Sequence, residues 1–303
     1  VEVTVSPNPH KERQRVQVFT LDSGSTFVLD PDHPDYEQHP LLQGALNSLP
    51  VPEDIFLQVR VSSAVPAGIS VGTSASVCVA LLGALTRLTS PRIDPPRIAD
   101  LAHQVETVKL NWQSGIQDQI CAARGGICFI RMFKYPQSEV EQIEPPEEVY
   151  RGLSERLSLI YLGRSHNSSS LHERVIAALE KTSTGPLLRL RQLPEQAHAA
   201  LLRSDLESFG QVMIENNECQ RALHADLIAA DADRVIAVAR RYGACGWKVN
   251  GAGGQGGSLT LLGDADPERR EKMQEAIISL GGGIQRLPVT LSRVGLEVTV
   301  QNL

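Results

Sequence analysis

Residues Ala75 to Leu88 are almost continuously small or apolar, and a segment rich in Gly, Ser and Thr stands directly before them. The run is too long for a strand, and a helix that is apolar on every side has to be buried on every side, so the chain needs a core large enough to enclose it. A length of 303 residues with 42% hydrophobic content supplies such a core, as one large or two ordinary globular domains. No apolar run approaches the roughly 18 residues of a membrane span, so a soluble chain with no membrane partner is expected. Lys+Arg 29 against Asp+Glu 35 gives a net charge of −6 without any basic block, which argues against nucleic acid as a partner. The 5 cysteines are scattered and form no C-x-x-C pair, so neither a disulfide framework nor a zinc site is written locally. A cytoplasmic setting is the default for such a chain.

Around the apolar run the periodicity changes several times. Val1, Val3 and Val5, then Val16 and Val18, alternate with polar residues as half-buried strands do, and Ser6-Pro7-Asn8-Pro9 predicts the turn between them. Leu57, Val59 and Val61 predict a third strand, carried on to Pro66. Asp94 followed by Pro95 predicts a helix start, with Ile98, Leu101, Ala102 and Val105 on one stripe and Glu106 near its far end. The acidic, proline-bearing stretch from Tyr135 to Glu147 predicts a boundary near Glu147, with domains of 1–147 and 148–303. Beyond it come a strand over Leu157 to Leu162 and capping boxes at Ser170 with Glu173 and at Ser204 with Glu207. A helix from Asp231 to Tyr242 stopped by Gly243, two strands around a glycine loop, and a helix opened by Asp266-Pro267 complete an α+β pattern.

Three constellations carry chemistry. The first is Val65 to Ser76, where Pro66, Gly68, Ser70, Gly72, Thr73, Ser74 and Ala75 lie between a strand and the buried helix. Unpaired N–H groups and the positive end of the helix dipole attract an anion there, small side chains let phosphate approach, and a hydroxyl of Thr73 or Ser74 is available to phosphate or Mg²⁺. The plain alternative is a helix start with Thr73 as its cap. The second is Lys248 to Gly257, whose Gly251, Gly253 and Gly256 spell G-x-G-x-x-G but precede a strand rather than a helix, which excludes a dinucleotide fold and leaves a hairpin. The third pairs Glu106 with Asp118 in Gly115 to Gln119; one carboxylate is suited to a hard cation and the other to an attacking hydroxyl. His103, three residues before Glu106, reads as a satisfied or exposed histidine. Gly72 to Ser76 also has the outline of a serine-hydrolase elbow, but without its closing glycine.

Together these segments resemble the GHMP family of small-molecule kinases. Pro66 to Ser76 is similar to the family's second motif and Lys248 to Gly257 to its third, with Ser70, Val71 and Thr73 standing where Gly, Leu and Ser are usual. Gly115-x-x-Asp118-Gln119 is similar to the galactokinase-like members. With Tyr161 to Ser169, including Asn167, it resembles the heptose-7-phosphate kinase branch, which phosphorylates a sugar at its anomeric hydroxyl. The resemblance implies a two-lobed fold with a ferredoxin-like C-terminal lobe, and ATP and Mg²⁺ as cofactors. It implies phosphate contacts at Pro66, Gly68, Ser70, Gly72 to Ala75, Gly251, Gly253 and Gly254, metal ligation by Ser74 and Glu106, and Asp118 as the base. The partner implied is a sugar or sugar phosphate, met by a monomer or homodimer; an ATP-binding member without catalysis and a kinase for galactose, fucose or mevalonate are the alternatives. The family's first motif has no counterpart, and Val1 falls just past its place; either the residues that carry it are missing ahead of Val1 or the chain is a degenerate member that cannot phosphorylate sugar.

Overall fold

The computed structural model describes all residues except 8–14, 23, 66–67, 89–92, 166–174, 176–184, 252 and 302–303. Its contacts divide into two compact units: Val1–Ala64, Gly72–Gln142 and Ser292–Leu303 in the first, Val65–Val71 and Ile143–Leu291 in the second. The changeover in mid-chain thus falls four residues or so before Glu147, within the same acidic stretch, and the last segment returns to the first unit. Pro66, Ala252, the Ser170–Glu173 capping box and Asn167 to Ser169 lie outside the described residues.

In the first unit β1 (Glu2–Pro7), β2 (Val16–Thr20), β3 (Ser25–Leu29) and β4 (Leu57–Ser62) form one sheet in the order β1-β4-β2-β3. β4 pairs antiparallel with β1 and parallel with β2, so Val59 faces Val5 on one side and Val18 on the other. Val16, Val18, Leu57, Val59 and Val61 are buried, as alternation requires of one sheet face. Two boundaries differ from expectation: Ser6 and Pro7 extend β1 by pairing with Gln58 and Leu57, and β4 stops at Ser62. Neither β3 nor the short α1 (Pro40–Leu46) carries a sequence signal strong enough to predict it.

The apolar run is α2 (Thr73–Leu85), packed against β1, α1, α3 (Pro95–Gln104) and α4 (Gln117–Arg124). Neighbours on every side account for the burial of Ala75, Cys78, Val79, Leu81, Leu82 and Leu85. Asp94 caps α3 by accepting from the Arg97 N–H at 3.1 Å, with Pro95 in the first turn. Glu106 lies just beyond α3, in a π-helical turn over Val105–Lys109. The strands β5 (Ile127–Lys134) and β6 (Gln137–Ile143) form a separate two-stranded sheet. The final segment is bound to α4, Leu296 donating its N–H to the Ala123 carbonyl at 3.0 Å.

In the second unit α5 (Glu147–Arg156) precedes β7 (Leu157–Leu162), and α6 (Gly185–Leu202), α7 (Leu206–Leu223) and α8 (Ala230–Arg241) precede β8 (Gly246–Val249). Then follow β9 (Ser258–Leu262), α9 (Pro267–Ile278) and β10 (Ile284–Leu287). The order β10-β7-β9-β8 is antiparallel throughout, which is the ferredoxin-like arrangement expected. Its core joins Ile160, Leu162, Val235, Val249, Leu259, Leu261, Met273 and Ile277. Asp205, not Ser204, caps α7 by accepting from the Ser208 N–H, while Ser204 takes a left-handed φ of 57°. Asp266 and Pro267 open α9 as expected.

Leu82 is fully buried in α2. Leu82→Ala is expected to destabilise the first unit by about 2–5 kcal/mol through lost burial and the cavity left behind. Chemical unfolding followed by a probe in that unit checks this; a loss under about 1 kcal/mol would contradict enclosure of the helix.

Candidate active site

Helix α2 begins without a side-chain cap. The residue before it, Gly72, has φ 69° and no side chain to cap the helix; at this end Ser76 donates its N–H to the Gly72 carbonyl at 2.9 Å. Thr73 is therefore the first helical residue rather than the cap, and its buried Oγ1 has no hydrogen-bond partner. A cap from Thr, Ser or Asp would satisfy one N–H and occupy the space in front of the helix. Here the N–H groups of Thr73, Ser74 and Ala75 meet an orphaned hydroxyl and the positive end of a buried helix, the composition of an anion site.

Two carboxylates belong to the same region of the first unit. A Cβ built on Gly72 would stand 3.1 Å from Asp118 Cγ and 3.3 Å from its Oδ2, so Asp118, in the first turn of α4, lies directly against the start of α2. Glycine at 72 is needed twice over, for its left-handed φ and for this approach. Glu106 is only 4% exposed. Its Oε2 accepts from Ser114 Oγ at 2.5 Å and Gln119 Nε2 at 2.9 Å, whereas its Oε1 is buried with no hydrogen-bond partner. Burial pushes the Glu106 carboxyl above the ordinary carboxylate range; the hydroxyls of Ser114 and Ser74 work against that shift, and the charge of Asp118 adds to it. The unpartnered Oε1 of this buried carboxylate, together with the Ser74 hydroxyl that interacts with the same carboxyl, makes a set of hard oxygens that fits a small divalent cation.

The expected residues thus separate by unit. Gly72, Thr73, Ser74, Ala75, Glu106 and Asp118 come together in the first. In the second, Gly68 and Ser70 belong to the segment Val65–Val71, with φ of 74° and 60°. Ser258 Oγ donates to the Ile69 carbonyl at 2.7 Å, and a Cβ on Gly251 would stand 3.0 Å from Ser70 Cβ. The glycine loop is the hairpin between β8 and β9, and its glycines make room for the protein's own backbone. A Cβ on Gly253 would fall 1.9 Å from the Leu227 carbonyl oxygen, and one on Gly256 would fall 2.3 Å from that of Arg164. Gly254 and Gly257 donate their N–H groups to those same two carbonyls.

Sequence reasoning assigned no role to Ser114, Gln119 or Tyr135. Tyr135, between β5 and β6, donates its hydroxyl to the Ser114 carbonyl at 2.7 Å and lies 2.8 Å from Nε2 of the buried His103, which is the satisfied histidine expected. Only Gln119 stood out in the sequence, as the neighbour of Asp118.

Two family models match the chain. The GHMP kinase N-terminal domain matches residues 42–126 and the GHMP kinase C-terminal domain residues 197–282. The chain is similar to the mevalonate kinase of Thermococcus sibiricus, 28% identical over 250 residues, which is 79% of this chain and 68% of that protein. Among solved structures it is similar to the D-glycero-D-manno-heptose 1-phosphate kinase of Bacteroides thetaiotaomicron, with TM-score 0.70, 21% identity and coverage of 93% of this chain and 82% of that one. It is also similar to the galactokinase of Lactococcus lactis complexed with galactose, with TM-score 0.75, 14% identity and coverage of 97% and 85%. Matched in both of its halves, the chain belongs to the GHMP kinase family and is an ATP-dependent kinase.

Proposed function

We propose that this kinase phosphorylates a hydroxyl of a small sugar or sugar phosphate, the anomeric one first, with Asp118 facing the acceptor and the uncapped start of α2 receiving ATP phosphates. The observation that carries this reading is the placement of Asp118 against Gly72, which sets a carboxylate beside the N–H groups suited to phosphate. Asp118 holds or takes the proton of the acceptor hydroxyl as its oxygen bonds to the γ-phosphorus and the bond from that phosphorus to the β,γ-bridging oxygen breaks, leaving ADP. Ser74 Oγ and Glu106 Oε1 are the groups that would hold Mg²⁺, which when bound supplies neutralisation of the phosphate charge. In the second unit Gly251 lies against Ser70 and Ser258 Oγ donates to the Ile69 carbonyl, which fixes the segment that carries Gly68 and Ser70, while Gly253 and Gly254 meet Leu227. The acceptor class rests on the likeness of Gly115 to Gln119 to galactokinase-like and heptose-kinase members.

A second reading, mevalonate as acceptor, is favoured by the name of the Thermococcus sibiricus relative. ATP consumption measured against heptose 7-phosphate, galactose, fucose, mevalonate and homoserine separates the two. Turnover with mevalonate and none with any sugar would overturn the sugar assignment.

Three outcomes are expected of variants. Asp118→Asn is expected to lower kcat by at least about 100-fold while leaving ATP affinity nearly unchanged, in single-turnover and nucleotide-binding assays; unchanged turnover removes Asp118 from the reaction. Ser74→Ala and Glu106→Gln are each expected to raise the Mg²⁺ concentration needed for half-maximal rate, and identical titration curves would exclude them as ligands. The upward shift that burial gives the Glu106 carboxyl has a signed consequence without metal. The folded protein holds that proton more tightly than the unfolded chain, so stability falls as pH rises from the ordinary carboxylate range through the raised value. Glu106→Gln removes this loss, so its thermal midpoint is expected to gain on the wild type as pH increases. A constant difference across pH 4 to 8 would argue against an uncompensated buried carboxylate.

A further inference from the structure

We infer that Gln119 and Ser114 are positioning residues for the Glu106 carboxylate, holding one of its oxygens so that the other is presented to a divalent cation. The inference rests on the proposed role of Glu106 and goes beyond it to the groups that make the role possible. A carboxylate has two equivalent oxygens and about four lone-pair sites, and the terminal torsion of a Glu side chain is soft. Donors spread over both oxygens would cancel any preference. Here Ser114 Oγ at 2.5 Å and Gln119 Nε2 at 2.9 Å both reach Oε2, and Oε1, on the carboxyl that also feels the Ser74 hydroxyl, is left buried without a partner.

Gln119 is itself 1% exposed, and its own Oε1 is also buried and unpartnered. Turning the amide over would satisfy nothing and would set an acceptor against the carboxylate oxygen, so the Nε2 orientation is fixed by the charge it serves. Burying an amide oxygen without a partner is costly, and that cost is maintained here in favour of the bond to Glu106. Asp118 and Gln119 are consecutive in the first turn of α4 and therefore point about 100° apart around the helix axis. One goes to the start of α2 and the other to Glu106, so a single rigid turn sets the spacing of both carboxylates.

Ser114 is anchored from behind. Its carbonyl accepts from the Tyr135 hydroxyl at 2.7 Å, and that hydroxyl in turn lies 2.8 Å from His103 Nε2. With Tyr135 donating forward, the His103 ring donates to it through Nε2. The loop carrying Ser114 is thereby tied to the far end of α3 and to the β5–β6 junction. Groups that orient a ligand commonly change metal affinity by 10–100-fold when removed.

The test measures Mn²⁺ binding by electron paramagnetic resonance in the complex with a nonhydrolysable ATP analogue, beside analogue affinity without metal. Gln119→Met keeps length and loses the donor; Ser114→Ala loses the other, and Ser114→Thr restores a hydroxyl. Gln119→Met and Ser114→Ala are each expected to weaken Mn²⁺ binding about tenfold or more. Metal-free analogue affinity is expected to stay within about twofold of wild type, and Ser114→Thr to recover most of the loss. The inference is overturned if both donor-lacking variants bind Mn²⁺ as wild type does, or if metal-free analogue affinity falls by the same factor. Should Gln119→Met not fold, the Ser114→Ala and Ser114→Thr pair decides by the same criteria. Glu106→Gln separates the two levels: Mn²⁺ affinity unchanged there refutes the metal reading of Glu106, whereas loss there with none in Gln119→Met and Ser114→Ala refutes the positioning alone.

Discussion

A carboxylate withdrawn from water has to be compensated, and in the first unit the organisation around α2 turns on how Glu106 meets that demand. Desolvation of an ionised group is costly by several kcal/mol even after relaxation. Ser114 and Gln119 return part of this through one oxygen, and the second oxygen is left with nothing. For a purely structural residue this would be poor economy, because a buried Gln or Met would fill the space at lower cost. The same region leaves the Thr73 hydroxyl unpartnered and the amino end of a buried helix without a side-chain cap. Three omissions of opposite electrical character, one anionic and two with donors to offer, are what a kinase that binds a metal-complexed phosphate chain would require.

The glycines distribute differently from their motif. Gly72 answers to Asp118, and its left-handed backbone is what permits the uncapped helix start. Gly253 and Gly256 answer to the carbonyls of Leu227 and Arg164, two stretches of the second unit's own chain. At these two positions the space that a side chain would fill is taken by the protein's own backbone. Ser70 is the reverse case: a residue with a Cβ in a left-handed conformation, where the family usually has glycine. Such a conformation costs of the order of 1 kcal/mol and persists only where the surroundings enforce it, here Gly251 against its side chain.

What the sequence disclosed followed from periodicity and from chemistry concentrated in short runs. The buried helix, the Asp94 and Asp266 caps, the hairpin around the second glycine cluster and the pairing of Glu106 with Asp118 were all legible because each depends on residues near one another in the chain. β3, α1 and β10 were not, since strands of four or five residues and a seven-residue helix are decided by the sheet and core that receive them. Ser204 and Asp205 are both competent caps, and the choice fell to the aspartate, which accepts from the Ser208 N–H while the serine absorbs a left-handed turn. The contribution of Ser114 and Tyr135 is tertiary: 21 residues separate the Tyr135 hydroxyl from the carbonyl it bonds, and no local pattern announces such a bond.

The return of Ser292–Leu303 to the first unit bears on the order in which the protein can be made. Leu296 completes the layer over α2, where a Cβ on Gly83 would meet its side chain at 2.7 Å, and its N–H occupies the Ala123 carbonyl at the end of α4. The residues that fill this place come in the chain only after the whole of Ile143–Leu291. During translation one flank of the first unit's central helix therefore stays bare until the chain has passed through the whole of Ile143–Leu291.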